Sequence, residues 1–204
     1  GVTVWNITTA HRVSVDNSGK RATKPAKLTA IPYAVWANRG LSPMAVWLAR
    51  DAATARPIQP PTLASQAKVT TSFARAGMSL AFINDQLVPQ NFTDGFAPNF
   101  DFWPHKGTSE WVQYEFKQPA KVIAARISWF DDTGSGECRL PVSWRITYRD
   151  ADNTWKPVSN PSEYTIKKRD PVRITFDSVT TKQLRLEVEL TKDFSAGLYE
   201  WEVE

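Results

Sequence analysis

The sequence predicts an all-β chain: an antiparallel β-sandwich or jelly roll over residues 67–204, preceded by a shorter strand-containing segment. Three observations carry this. Apolar and polar residues alternate in run after run, the signature of strands with one buried face. Turn chemistry separates the runs, at Asp132-Thr-Gly-Ser-Gly, Asp150-Ala-Asp-Asn, Asn160-Pro and Asp170-Pro. No stretch sustains a helical period over three turns.

In chain order, Val2, Val4 and Ile7 form a first short run, and Leu28–Trp36 and Met44–Leu48 form two more. Three strands alone leave open edges and little core, so segment 1–51 needs something further to pack on. Arg56-Pro57-Ile58-Gln59-Pro60-Pro61 is a stiff, extended connector, because proline fixes its own φ and restricts the residue before it. The linker is placed at residues 52–66. Val69, Thr71 and Phe73 open the second domain. Val112, Tyr114 and Phe116 form its next strand, and Ile123, Ala125, Ile127 and Trp129 form one inward-facing set. Trp144, Ile146 and Tyr148 follow, then Val172, Ile174 and Phe176. Leu184, Leu186, Val188 and Leu190 show the cleanest alternation, and Leu198, Trp201 and Val203 a less regular one. Residues 77–108 have no such pattern and read as a long aromatic loop, the kind of excursion from a rigid sandwich that carries binding sites.

Composition narrows the function. Of 204 residues, 42% are hydrophobic, enough for a core, and none of the apolar runs approaches the roughly 18 residues a membrane span needs. No basic-then-apolar leader is visible at the N-terminus. One cysteine, Cys138, excludes an internal disulfide, and two histidines exclude a histidine-rich metal site. Residues 1–65 hold eight Lys/Arg against two Asp/Glu, while all ten Phe lie beyond them. The one tight basic run, Lys167-Lys168-Arg169, is flanked by Glu163 and Asp170 and reads as a solvated loop, so nucleic acid is not an expected partner.

Catalysis finds no support. Asp131 and Asp132 are neighbours and point to opposite faces if extended, which is a poor acid/base pair for glycoside hydrolysis. Cys138 has no metal-ligand spacing around it and reads as structural. Binding is better served. Sugars stack their CH faces on flat rings and offer hydroxyls to planar polar groups. Phe100, Phe102, Trp103 and His105 share one loop; Asp131, Asp132, Glu137 and Arg139 share another. The candidate carbohydrate ligands are Trp103, His105, Asp131, Asp132 and Arg139, with His105 and Arg139 foremost, since a loop polar residue has no packing reason to be there. Trp144 and Trp129 sit on inward strand positions. Alternation alone places Trp111 on the outer face.

Two stretches carry a resemblance to known families. Leu28-Thr-Ala-Ile-Pro-Tyr-Ala-Val-Trp-Ala-Asn-Arg-Gly40, followed by Met44-Ala-Val-Trp-Leu48, resembles the end of the core region of glycoside hydrolase family 127, the β-L-arabinofuranosidase-like family. Phe102-Trp-Pro-His-Lys-Gly-Thr-Ser-Glu-Trp-Val-Gln-Tyr-Glu-Phe116, with Ser128-Trp-Phe-Asp-Asp-Thr-Gly and Pro141-Val-Ser-Trp144, is similar to the discoidin or coagulation-factor type C module. That module is a galactose-binding-like jelly roll, many of whose relatives are carbohydrate-binding modules of family 32. The resemblance implies a non-catalytic module at the tail of a bacterial glycosidase, periplasmic or extracellular. Its partners would be an oligosaccharide or polysaccharide and the upstream catalytic domain of the same chain. The alternative is an architectural domain that braces that catalytic domain and binds no sugar. The resemblance also makes Trp103 and Trp111 core residues and Trp155 a structural tryptophan after a hairpin. It further implies a structural calcium held by Asp85 and Glu200, with Gln86 standing where the family has glycine. The plainer reading of Asp85 is a turn cap.

Overall fold

The computed structural model describes residues 3–6, 11–14, 26–27, 60–89 and 97–204. The expected strands Leu28–Trp36 and Met44–Leu48, and residues 52–59 of the expected linker, lie outside the described residues. The chain forms two compact units. In the first, β1 (Thr3–Asn6), β2 (His11–Ser14) and β3 (Ala26–Lys27) pair antiparallel in that order.

The second unit is an antiparallel sandwich. Its strands are β4 (Lys68–Thr71), β5 (Phe100–Asp101), β6 (Ser109–Phe130), β7 (Ser143–Arg149), β8 (Trp155–Pro157), β9 (Val172–Glu189) and β10 (Gly197–Val203). The long strands β6 and β9 each serve both layers. Residues 109–115 of β6 pair with 183–189 of β9, and β4 and β7 flank that ladder. The register then shifts, and residues 120–127 of β6 pair with 172–181 of β9 beside β10 and β5. Side chains of the two layers meet in one core. The Tyr114 ring stacks on Trp201 at 4.1 Å, and Trp129 meets Trp144 edge-on at 5.8 Å. The Tyr114 hydroxyl donates to the carbonyls of Trp201 (2.6 Å) and Ile83 (3.2 Å), the latter in the 3₁₀ turn Leu80–Ile83.

The alternation predicts most inward positions: Val112, Tyr114, Phe116, Trp144, Ile146, Ile174, Leu184, Leu186, Val188, Leu198, Trp201 and Val203 are all buried. It fails at Ile123. A register shift between Val122 and Ala124 inverts the local order, so Val122 and Ala124 turn inward and Ile123 is 46% exposed. A second shift between Leu198 and Glu200 explains the irregular last strand. The expected loop 77–108 contains the 3₁₀ turn and β5, and its Phe100 and Phe102 are core residues rather than loop aromatics. The described part of the expected linker is fastened to the sandwich. Ala64 is buried, Thr62 and Ser65 exchange hydrogen bonds, and Gln86 Nε2 donates to the Pro60 carbonyl.

Candidate functional site

β5 begins the site. Its backbone pairs with β10 at Gly197, where a Cβ would stand 2.4 Å from the Phe100 carbonyl oxygen. Phe100 and Phe102 go inward, and Asp101 between them faces a cleft of about 350 Å³. Arg75, Asp101, Trp103, Asp132 and Glu137 line this cleft, with Gly136 and Cys138. The two candidate loops therefore meet at one end of the sandwich.

Trp103 is 43% exposed, which corrects the implied core position. It is nonetheless held. Its backbone N–H donates to Asp101 Oδ1 at 3.1 Å, and its indole Nε1 donates to Glu137 Oε2 at 2.8 Å. Lys106 Nζ donates to the other Glu137 oxygen, also at 2.8 Å. These hydrogen bonds, from Lys106 first and then Trp103, hold the exposed Glu137 carboxyl below its usual range. The result is an open indole face whose orientation is fixed from its edge.

The opposite wall is a tight turn. Asp132 Oδ1 accepts from Cys138 N (2.8 Å) and from Arg139 (3.2 Å). Any Cβ at position 136 would lie 1.9 Å from Asp132 Oδ2, so only glycine lets the carboxylate sit there. The Cys138 thiol is buried and pushed up to about 12, by desolvation first and then by Asp101 and Asp132. Arg75 donates to Asp101 Oδ2 at 3.4 Å. Burial pushes the Asp101 carboxyl upward against that pairing, and the nearby Asp132 adds to the push.

The structure thus brings Trp103 and Asp132 together and leaves the other three candidates out of the cleft lining. Arg139 braces the turn from behind. One guanidinium nitrogen meets Asp132 and the carbonyls of Gly136 and Cys138, and the group lies 4.3 Å over the Phe194 ring. His105 stacks on Phe73 at 3.8 Å and its Nδ1 lies 2.6 Å from Glu110 Oε1. Burial raises the Glu110 carboxyl, but hydrogen bonds from Ser72, Thr108 and His105 outweigh it and hold it low. Asp131 caps its turn through Thr133 and pairs with Lys168 at 2.6 Å. Each of the three has a structural reason for its place. Arg75 and Asp101 belong to the cleft and were missed by sequence reasoning: Arg75 comes from outside both candidate loops, and Asp101, inside the aromatic string, reads as a spacer between two rings. Glu137 was visible as a loop carboxylate; its contact with Trp103 was not.

On the outer sheet face, Arg185 is sandwiched between Trp111 (4.3 Å) and Trp155 (4.0 Å). Trp111 is half-buried there, where alternation places it, rather than in the core.

Asp85 and Glu200 also meet. Glu200 is 1% exposed; burial, and next the charge of Asp85, drive its carboxyl far above the usual range. Its Oε2 accepts from Gln86 N at 3.1 Å, and the carboxyl shares a side-chain hydrogen bond with Asp85. Gln86 takes φ 65°, the left-handed conformation that the family's glycine would supply, so the tight turn survives the substitution. Asp85 Oδ1 accepts from Leu87 N at 2.9 Å, so the turn cap and the carboxylate pairing coexist.

Comparison with known proteins matches this architecture. The F5/8 type C domain model matches residues 69–200, and the chain belongs to that family. Residues 3–49 match the glycoside hydrolase family 127 C-terminal domain. Both are non-catalytic domains. Solved structures share the fold. A chain of the Streptococcus pneumoniae β-galactosidase BgaA aligns with TM-score 0.59 and 18% identity, covering 71% of this chain and 98% of that one. Chitosan-binding module 1 of a Paenibacillus chitosanase/glucanase aligns with TM-score 0.52 and 18% identity, covering 71% and 99%. A Clostridium perfringens module solved with GalNAc-β-1,3-galactose aligns with TM-score 0.52 and 10% identity, again covering 71% and 99%.

Proposed function

We propose that this F5/8 type C domain is a carbohydrate-binding accessory module that takes one or two sugar units in the Trp103 cleft. The observation that carries this is the indole of Trp103: exposed, pinned by Glu137, and set beside Arg75, Asp101 and Asp132. The ring supplies a stacking face with little ordering left to do on binding, and the carboxylates and guanidinium supply planar hydrogen-bonding partners for hydroxyls. The naming of fold neighbours as sugar-binding modules supports the same reading. The family 127 match at residues 3–49 supports a place in a glycoside hydrolase, which we take to be a bacterial enzyme acting outside the cytoplasm. There a module raises the local concentration of the enzyme on its polymer. A shallow cleft of this size gives a weak Kd, on the order of 0.1 to 1 mM.

We propose that the second carboxylate pair also takes calcium, with further oxygen ligands needed beside it. Asp85 and Glu200 would hold it, since two facing carboxylates, one of them buried, are the donor chemistry a hard cation takes. Its contribution would be to displace the proton that the Glu200 carboxyl keeps and to fix the Asp85–Gln86 turn.

The test is titration of the chain with galactose- and arabinose-containing oligosaccharides beside a Trp103→Ala variant. Binding in the millimolar range that the variant loses, with thermal melting unchanged, supports the reading. Absence of binding by either protein to any of these sugars favours a purely architectural domain.

A further inference from the structure

The cleft wall carries more acidic than basic side chains. Three of its side chains are carboxylic acids, Asp101, Asp132 and Glu137, and one is basic, Arg75. The other cations nearby, Lys106 and Arg139, engage Glu137 and Asp132 but are not part of the lining. The Arg75 contact to Asp101 is long, 3.4 Å, and Arg75 itself is half-exposed, so it neutralises the buried Asp101 incompletely. Asp101 and Asp132 line the same cleft, where the charge of Asp132 adds to the upward push on the Asp101 carboxyl that burial begins. Asp132 cannot retreat readily, since Cys138 N and Arg139 hold one oxygen and Gly136 abuts the other. A cation entering between these carboxylates relieves that repulsion; an anion worsens it.

Resting on the sugar-binding reading above, we infer that the Trp103 cleft selects cationic sugars, units carrying a free amine, over N-acetylated ones, and rejects acidic ones. The indole of Trp103 takes the CH face of the ring while the ammonium sits toward Asp101, Asp132 and Glu137, each donating N–H replacing part of what solvent supplied. A carboxyl-bearing sugar in the same pose would set its charge against three others, with Arg75 alone to meet it.

The experiment is calorimetric titration of the full chain at mildly acidic pH and low salt with three trisaccharides: β-1,4-linked glucosamine, the same molecule fully N-acetylated, and galacturonate. The glucosamine trisaccharide is expected to bind about tenfold tighter than the N-acetylated one, the size that two partly exposed charge contacts give, with galacturonate showing no heat. The advantage should shrink as salt rises past 0.1 M, where the screening length falls to about 10 Å. Glu137→Gln, an exposed substitution that leaves the fold in place, should narrow the preference to about threefold. Equal or tighter binding of the N-acetylated trisaccharide, or any preference for galacturonate, overturns the inference and leaves the sugar-binding reading standing. Silence from all three trisaccharides, together with the galactose and arabinose series, removes that reading and this inference together.

Discussion

Two regions of this domain gather carboxylates, and they do so in opposite ways. In the Trp103 cleft, Asp132 and Glu137 each accept at least two N–H donors, Asp101 is met by Arg75 and by Trp103 N, and the wall stays open to solvent. At Asp85 and Glu200 the carboxylates face each other in the interior and pair through a side-chain hydrogen bond, with the proton held on the Glu200 carboxyl. Charges that keep a donor each and line an open wall suit a ligand that comes and goes. A buried carboxylate pair holds either a trapped proton or a resident cation. On the proposed reading the first is a surface for recognition and the second an interior site for stability, and mutations should sort the same way.

The largest effect belongs to the core that supports both. Trp144 packs on Trp129 and Tyr164, and its indole N–H donates to the Thr165 carbonyl at 2.9 Å. Trp144→Ala should cost about 3–5 kcal/mol in denaturant unfolding, as truncation of a buried tryptophan does. A melting curve near wild type would show that the two layers do not depend on this bridge.

Next comes the interior pair. With chelator present, the raised Glu200 carboxyl retains a proton in the folded state that the unfolded chain releases above the ordinary glutamate range, so the folded state binds more protons and stability falls as pH rises from 5 to 8. The slope approaches about 1.4 kcal/mol per pH unit for one such group. Calcium should reverse the trend, adding about 2.7 kcal/mol at a hundredfold excess over its Kd. Glu200→Gln should flatten the chelated pH profile and abolish the calcium effect. A calcium effect that persists in the variant would place the ion elsewhere.

Smaller is the stability effect at the cleft. Trp103→Ala should change unfolding by under about 1 kcal/mol, because the ring is exposed and packs on little. Smallest is Cys138, whose thiol at about 12 should stay unmodified by iodoacetamide at pH 8 for as long as the chain is folded. Rapid alkylation would mean that the cleft turn opens.

How much of this was legible in the sequence follows from which signals are local. Side-chain alternation exposes strand faces directly, so Val112, Tyr114, Trp144 and Leu184–Leu190 were readable, and so was the outer position of Trp111. A register shift leaves no mark in composition, and Ile123 was misplaced for that reason. Asp85 and Glu200 were recognisable only through resemblance, since residues 115 positions apart show no spacing rule; the left-handed Gln86 needed the backbone itself. The cleft was half legible. Its two loops were evident from aromatics and turn residues, but polarity in a loop does not tell a ligand-facing group from a brace. His105, Asp131 and Arg139 proved to be held by Glu110, Lys168 and the Gly136–Cys138 carbonyls. Arg75 enters from a separate part of the chain, and only the folded sandwich brings it to Asp101, two residues from Trp103.

The central claim, that the Trp103 cleft is where carbohydrate binds, is tested most directly by amide and indole NMR shift mapping during titration with a sugar found to bind. Binding in the cleft predicts the largest shifts at the Trp103 indole N–H and at the amides of Gly136, Glu137 and Cys138, with Trp111 and Trp155 unmoved. Shifts concentrated on the Trp111–Arg185–Trp155 face, with the Trp103 indole signal stationary, would contradict it.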